Sequence, residues 1–513
     1  MRAKLVLPCL LLLGLLPIFQ SYTYLAHTSD EPAHMAAGVQ WLQDGRFTLE
    51  PLHPPIARIM TAALPVLLLD VQLTPSAGGL FLQGYAMLAK SGDYMYTLML
   101  SRIGILPFFL LGGWLVYRWA AQLFTHAAAL WAVALYISQP ILVAHAGLAT
   151  TDMAYGAVFT WAVMAGINWL KDPSHRNSYL LGLSLAVMIG TKYSALVQWP
   201  AAMALIVAGN FGMRHVRASW QPAFRFQRLH FIYGALIVTP VVYLLLYGLF
   251  FFSLAPLIAG IEQLWQKNAD GHAAWLWRPL KDVGVWYFFP VVFFFKTPLS
   301  FLVACLWGKL RIWREEGSPL RTEQLFPLLA AASVMLSSMP SNINIGVRHV
   351  LPMYLPLCVV AGYGLCCMWH SQRKQAKLIA AALLAWQTAI FIAQGPDRIS
   401  YYNELAHVIT GGKPEHISQD SDFYWGQEKW RLLSYVREQG ITDISISDQL
   451  VYGMLDLRKE APDTTFYKLS NYPTRGWVCV SASMLVSTQG FEWIDEQYYV
   501  TTIGNTLRLY NIP

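Results

Sequence analysis

The 513-residue sequence is short of charge. Asp, Glu, Lys and Arg make up only 13% of it, about half the ~25% usual in soluble domains, while 56% is hydrophobic and the mean hydropathy is +0.40. Too little polar surface remains to keep a chain of this size in water, which excludes a soluble globule and a disordered chain. Cysteine is scarce as well. Cys9, Cys305, Cys358, Cys366, Cys367 and Cys479 lie mostly in apolar runs, without metal-like or framework spacing. They read as small buried hydrophobes, and a disulfide scaffold is excluded. What the chain has in quantity is aromatic residues (20 Trp, 26 Tyr and 25 Phe) and long apolar runs. The class is a polytopic α-helical membrane protein.

Charge is also unevenly placed. Residues 1–394 carry 26 Lys and Arg against 14 Asp and Glu, and residues 395–513 carry 10 against 15, so a balance of +12 is followed by one of −5. We read a transmembrane domain over 1–394 and a small soluble α/β domain over 395–513. Apolar runs of about 20 residues predict about eleven spans, near 5–25, 94–117, 127–145, 152–170, 178–191, 193–209, 230–253, 285–308, 324–340, 349–370 and 377–394. The fifth and sixth form a short hairpin around Thr191 and Lys192. The first begins Met-Arg-Ala-Lys and lacks a small-residue cleavage site, so it reads as an uncleaved anchor. With the N-terminus in the cytoplasm, 16 basic residues fall inside and only 8 outside over longer loops, as the positive-inside rule requires. An odd number of spans then places the tail outside.

The first outer loop, 26–93, is too long for a mere connector. Ser29-Asp30-Glu31-Pro32 announces a helix from Ala33 to Gln43, closed by Gly45, and His53-Pro54-Pro55 a second from Ile56 to Leu69. The first has one apolar stripe and is expected to lie along the membrane surface. Asp30 and Glu31 have two readings: one caps the helix, or the pair faces a membrane-level cavity with one acting as general base. His34, a turn further on, shares that face. Asp30, Glu31 and His34 can also ligate a divalent metal, although no second ligand cluster has a standard spacing. Asp152 caps its helix or supplies another carboxylate at the same depth. Lys192 and Arg348 put cations there too. Arg102 and Lys296 lie inside apolar spans, where an ionisable group costs at least about 2.5–3.5 kcal/mol and is functional unless it snorkels; Arg102 is near enough to an end to do so. Carboxylates and cations around an outer cavity suit a lipid-linked phosphate substrate whose hydroxyl acceptor is deprotonated there. They equally suit a transporter or flippase of a lipid-linked or anionic solute. The absence of internal repeats weighs against the transporter.

Asp30-Glu31-Pro-Ala-His34 followed by Leu49-Glu-Pro-Leu-His53-Pro54-Pro55-Ile-Ala-Arg58 resembles the first outer loop of the phospholipid-carrier-dependent glycosyltransferases of the C-type fold. These include the protein O-mannosyltransferases and the bacterial aminoarabinose transferases. Ala146 to Asp152, Gly190-Thr-Lys192-Tyr-Ser194, Trp286-Tyr-Phe-Phe-Pro290, Lys296-Thr-Pro298 and Asn344-Ile-Gly-Val-Arg348-His349 resemble the same family in the same order. So do Ser400-Tyr-Tyr-Asn-Glu404 and Asp420-Ser-Asp-Phe-Tyr-Trp425-Gly-Gln427. In the last motif Asp422, Tyr424 and Glu428 replace the family's more usual Asn, Asp and Asp. The Glu-Lys pair of the aminoarabinose transferases is absent near His53.

The resemblance implies an inverting transfer of a sugar, hexose or pentose, from a polyprenyl-phosphate carrier to a hydroxyl acceptor on the outer face of a bacterial inner membrane. By position, Asp30 is implied as the base, with Glu31 and Asp152 orienting the substrates. Arg58, Lys192, Arg348 and Lys296 are implied as holding the carrier phosphate. His34, His53 and His349 lie in the same motifs and are further candidates. No cofactor is required by such chemistry, and no nucleic-acid partner is implied. The tail predicts a helix from Trp425 to Gln439 and strands at Ile441–Ile446, Trp477–Ser481 and Thr506–Tyr510. It is expected to roof the cavity or select the acceptor.

Overall fold

The structure is a computed structural model that describes residues 2–513 except 75–77, 91, 217–219, 278, 281–283, 315–321, 448–459 and 489. The first helix, α1 (Arg2–Tyr24), leads into a long loop that folds as α2 (Glu31–Asp44), α3 (Pro55–Leu69) and α4 (Leu80–Lys90). Proline in the first turn and Gly45 in the left-handed region (φ 61°) bound α2 as the sequence indicates. Its placement differs from expectation. Residues 31–40 of α2 are all buried, between α3 and α4, instead of lying half-exposed on a membrane surface. Small residues make this possible: a Cβ at Gly38 would stand 2.0 Å from the Arg58 carbonyl oxygen.

The bundle proper comprises α5 (Tyr94–Ile103), α6 (Leu106–Leu123), α7 (His126–Ile137), α8 (Pro140–Ala146), α9 (Asp152–Lys171), α10 (His175–Ile189), α11 (Ala195–Val216), α12 (Arg228–Tyr233), α13 (Thr239–Leu249), α14 (Ala255–Asp270), α15 (Phe288–Phe295), α16 (Leu299–Arg314), α17 (Phe326–Ser338), α18 (Tyr354–Trp369) and α19 (Lys374–Ala393). The central helices α9 and α18 are apolar almost all round, and the bundle buries them.

Among the described residues, seven helical stretches are long and apolar enough to cross a membrane, or nine when each of two bent pairs is one span. The expected spans 178–191 and 324–340 are helical, but α10 has 15 residues and α17 has 13. At 1.5 Å per residue these reach only about 20 Å, short of the ~30 Å hydrocarbon core. The bent pairs are α7 with α8 (66°) and α15 with α16 (109°), each broken just before or at a proline, Pro140 and Pro298. Lys296 therefore sits in a helix break and not in the middle of a continuous span.

Beyond Ala393 the chain forms α20 (Glu404–Ile409), a strap from 410 to 428, α21 (Lys429–Glu438) and a five-stranded sheet. Between α14 and α15, β1 (Ala274–Leu276) pairs with β2 (Pro279–Leu280) and, antiparallel, with β3 (Ser418–Gln419) of the strap. The larger sheet has β4 (Asp443–Ile446), β5 (Thr465–Lys468), β6 (Gly476–Ser481), β7 (Tyr499–Ile503) and β8 (Leu507–Ile512) in the order β5-β4-β6-β8-β7. β4 runs parallel to β5 and β6, and β8 antiparallel to β6 and β7. The three expected strands are present within two residues. The expected helix starts late, at Lys429, because Trp425 to Glu428 form a turn with Gly426 at φ 92°. The core on one face of this sheet continues into the membrane domain through Ala26 and Phe295.

Candidate active site

The ends of several elements meet at a cavity of about 90 Å³ on the rim of the bundle. Asp30, His34, His53, Asp152, Lys192, Arg348 and His349 all line it, with Tyr193, Leu264, Lys267, Ile343 and Ile345 among their neighbours. Seven of the ten residues that the family resemblance implicates thus converge from five stretches of chain. Glu31, Arg58 and Lys296 do not line it.

Asp30 occupies the position of a helix cap, but its side chain makes no capping bond. The carboxylate turns instead to Arg348, whose Nη1 donates to Oδ2 at 3.3 Å, and it stays 30% exposed, open to the cavity. Asp152 is likewise no cap. It opens α9 without capping it and accepts from Lys192 Nζ at 2.6 Å, both groups being largely buried. Lys192 can reach it because the tight turn between α10 and α11 delivers it beside the start of α9. Arg348 follows Gly346, whose φ of 129° is open to glycine and whose missing Cβ makes room for Asp422: an added Cβ would lie 2.2 Å from that carboxylate. Asp422 Oδ2 accepts from the Arg348 backbone N–H at 2.8 Å, and the guanidinium stacks 4.1 Å from the Trp425 ring centroid. Arg348 Nε is buried without a hydrogen-bond partner, a donor still to be satisfied.

A second layer supports these groups. Glu31 is buried and accepts four hydrogen bonds: from the Thr28 N–H (2.7 Å), the Ala149 N–H (2.8 Å), and Arg102 Nε (2.8 Å) and Nη2 (2.9 Å). Arg102 also donates to the Leu25 and Ala26 carbonyls. It does not snorkel; it is fully buried and ties α1, α2 and α5 together. Arg58 donates from Nε to His34 Nδ1 at 3.2 Å and from Nη1 to the Glu50 carbonyl at 2.8 Å, and pairs with the Glu50 carboxylate. Burial, reinforced by Arg58, drives His34 well below the ordinary histidine range and keeps it neutral. Burial also lowers His53, against the pull of Glu50. Burial pushes Glu50 up, but the His53 bond and Arg58 outweigh it and hold the carboxylate below its usual range. Lys296 donates to the Asp422 carbonyl at 2.9 Å and lies 4.0 Å over the Tyr402 ring. Its charge meets the tail strap, not the cavity. His349 stacks on Phe289 at the cavity wall.

Sequence reasoning missed His145, Asp422 and Lys267. His145 is wholly buried, 2.9 Å from Asp422 Oδ1 and 3.9 Å from Asp152 Oδ2, and so joins the strap to the α9 carboxylate. The signal was its place in the short connection that ends at Asp152. Asp422 lay in a recognised motif but at a departure from it, and its partners are distant in sequence. Nothing in the sequence pointed to Lys267, which α14 brings over the cavity. Three cations (Lys192, Lys267, Arg348) and two carboxylates (Asp30, Asp152) leave an excess of one positive charge, so the cavity favours an anion. Among the described residues, no three His, Cys, Asp or Glu side chains are grouped to hold a metal.

Residues 101–252 match the family model described as dolichyl-phosphate-mannose-protein mannosyltransferase, a stretch that contains Arg102, His145, Asp152 and Lys192. The match agrees with the family resemblance drawn from the sequence motifs over that stretch, and the apolar helices of the bundle are those of a multi-pass membrane protein. None of the curated proteins matches the chain. Among solved structures it is similar to ArnT from Cupriavidus metallidurans bound to undecaprenyl phosphate, at 12% identity and a TM-score of 0.49 over 98% of this chain and 97% of the other. It is similar also to AglB from Archaeoglobus fulgidus in complex with an inhibitory peptide and a dolichol-phosphate, at 12% identity and a TM-score of 0.48 over 100% and 74%.

Proposed function

We propose that this protein moves a sugar from a polyprenyl-phosphate carrier to a hydroxyl acceptor at the rim cavity, on the extracytoplasmic face of a bacterial inner membrane. The observation that carries the reading is the convergence of Asp30, Asp152, Lys192 and Arg348, from separate segments, on one cavity with a net positive charge. The acceptor hydroxyl gives its proton to Asp30 as its oxygen attacks the anomeric carbon. The bond from that carbon to the carrier phosphate breaks, its electron pair stays with the phosphate, and the anomeric configuration inverts. The leaving group is already an anion, so it needs cations more than an acid. Arg348 and Lys192 provide them, and the unpartnered Nε of Arg348 is a ready donor. Asp152 holds Lys192, while Arg58 acts through His34 and Glu50. Nothing in this displacement requires a metal ion.

The test is the purified full chain in detergent, with the co-purified lipid identified by mass spectrometry and turnover followed with polyprenyl-phosphate-linked sugars. We expect a polyprenyl phosphate, with or without its sugar, on the protein. Asp30→Asn should keep that lipid and lose transfer about 10²–10⁴-fold, the range for removing a general base. Full turnover in Asp30→Asn removes Asp30 as the base.

A further inference from the structure

A second cavity of about 320 Å³ lies in the tail, between the strap and the end of the large sheet. Its size falls in the ~300–1,000 Å³ range of small-molecule sites. It shares no lining residue with the rim cavity. We propose that it binds a neutral saccharide, one pyranose unit in size, independently of the transfer reaction.

The chemistry of the lining carries this. Glu415 is 3% exposed; one of its oxygens accepts from Arg508 Nη2 at 3.2 Å, and the other, Oε2, is buried without any hydrogen-bond partner. A carboxylate oxygen only accepts, so what completes it must donate: a hydroxyl, an ammonium or a cation. Arg508 already balances the Glu415 charge, and a charged ligand would leave one charge over in a largely buried site. A neutral polyol fits both conditions. Phe423 and Tyr402 stand in the cavity wall but are each only 2% exposed, with the Tyr402 hydroxyl committed to Ser418, so recognition falls to the polar groups. Asn505, whose side-chain Nδ2–H bonds Ser400 Oγ and whose backbone carbonyl accepts from Arg508, lines the same cavity and has its side-chain Oδ1 left for a second sugar hydroxyl. Phe423 directly follows Asp422, which anchors Arg348 and His145 at the rim, so successive residues of one strap serve the two cavities.

The experiment is saturation-transfer NMR on the full chain in detergent, titrating methyl glycosides of glucose, galactose, mannose and N-acetylglucosamine, with inorganic phosphate and calcium chloride as charged probes. We expect saturable transfer from at least one glycoside with a dissociation constant on the order of 1 mM. Asn505→Ala should weaken it about fivefold, as the loss of one hydrogen bond would. Glu415→Gln, which replaces an acceptor with a donor at Nε2, should weaken it further. Asp30→Asn, in the other cavity, should leave it unchanged. Because Glu415 is buried, the exposed Asn505 variant keeps the test decisive if Glu415→Gln does not fold. The proposal is overturned if no glycoside binds saturably, if binding survives Asn505→Ala unweakened, if it disappears in Asp30→Asn, or if phosphate or calcium displaces the glycoside.

Discussion

The rim of the bundle and the sheet of the tail have opposite interiors. Around the rim cavity, Glu31, Arg58, Arg102, His145, Asp152 and Asp422 are each buried to 4% exposure or less, and each is held by a named partner. In the sheet, Ile444, Ile446, Cys479 and Leu507 fill one face and Val478, Val480 and Tyr510 the other, so burial is apolar and alternates along the strand. Burying ions stabilises little in itself, and breaking one pair leaves the other ion stranded. Trimming apolar packing costs the transfer free energy of the deleted group plus a term for the cavity left, with no charge stranded. The rim gives up stability to fix geometry, and the sheet contributes stability without chemistry.

The sharpest break in that comparison is between neighbours. Asp30→Asn should abolish turnover with little change in thermal unfolding. Glu31→Gln should strand Arg102 and destabilise the chain by about 3–5 kcal/mol, read as a fall in melting temperature and yield. A Glu31→Gln protein with wild-type melting and no transfer would make Glu31 a reacting group instead of a structural knot. Lys192→Ala should lower donor turnover about 10²-fold, and Lys192→Arg should recover part of it; unchanged kinetics in the alanine variant removes the phosphate clamp.

A smaller effect lies where rim and tail meet. Burial, with the Asp397 charge adding to it and Arg431 opposing, raises the Glu428 carboxyl to about 8 from an ordinary 4.5. Between these pH values the folded chain holds a proton that the unfolded chain has released, so this group's contribution to stability falls as pH rises and is level above about 8. Glu428→Gln should therefore melt a few degrees higher than wild type above pH 8 and converge with it near pH 4.5. Parallel melting curves across that range would count against an ionising Glu428. Smallest of all, Ile444→Val in the sheet should cost about 0.5–1.5 kcal/mol and leave turnover alone.

What was legible in the sequence follows the same division. The helices of the long first loop, the three strands and most spans came from local signals: proline at helix starts, Gly45, alternation, apolar length. The helices at 178–191 and 324–340 proved shorter than expected, because an apolar run does not show where a helix ends. Asp30, Asp152, Lys192 and Arg348 could be named because each sits at an element end in a recognisable motif. Their local context also allowed capping or snorkelling, and only partners remote in sequence excluded it: Arg348 for Asp30, Lys192 for Asp152, Glu31 for Arg102. Glu31 and Lys296 look as reactive as Asp30 in sequence, yet one is sealed by four donors and the other faces the strap.

By itself, then, the sequence determined the membrane class, the tail domain and the set of charged residues at the rim. Hydropathy, turn residues and charge balance are properties of short stretches of chain. Which of those charges line the cavity and which lock its walls was decided by tertiary structure alone. An ion's role depends on what lies within a few ångströms of it, and here Asp422 and Trp425 reach back across the chain to Arg348, and Asp422 to His145 as well.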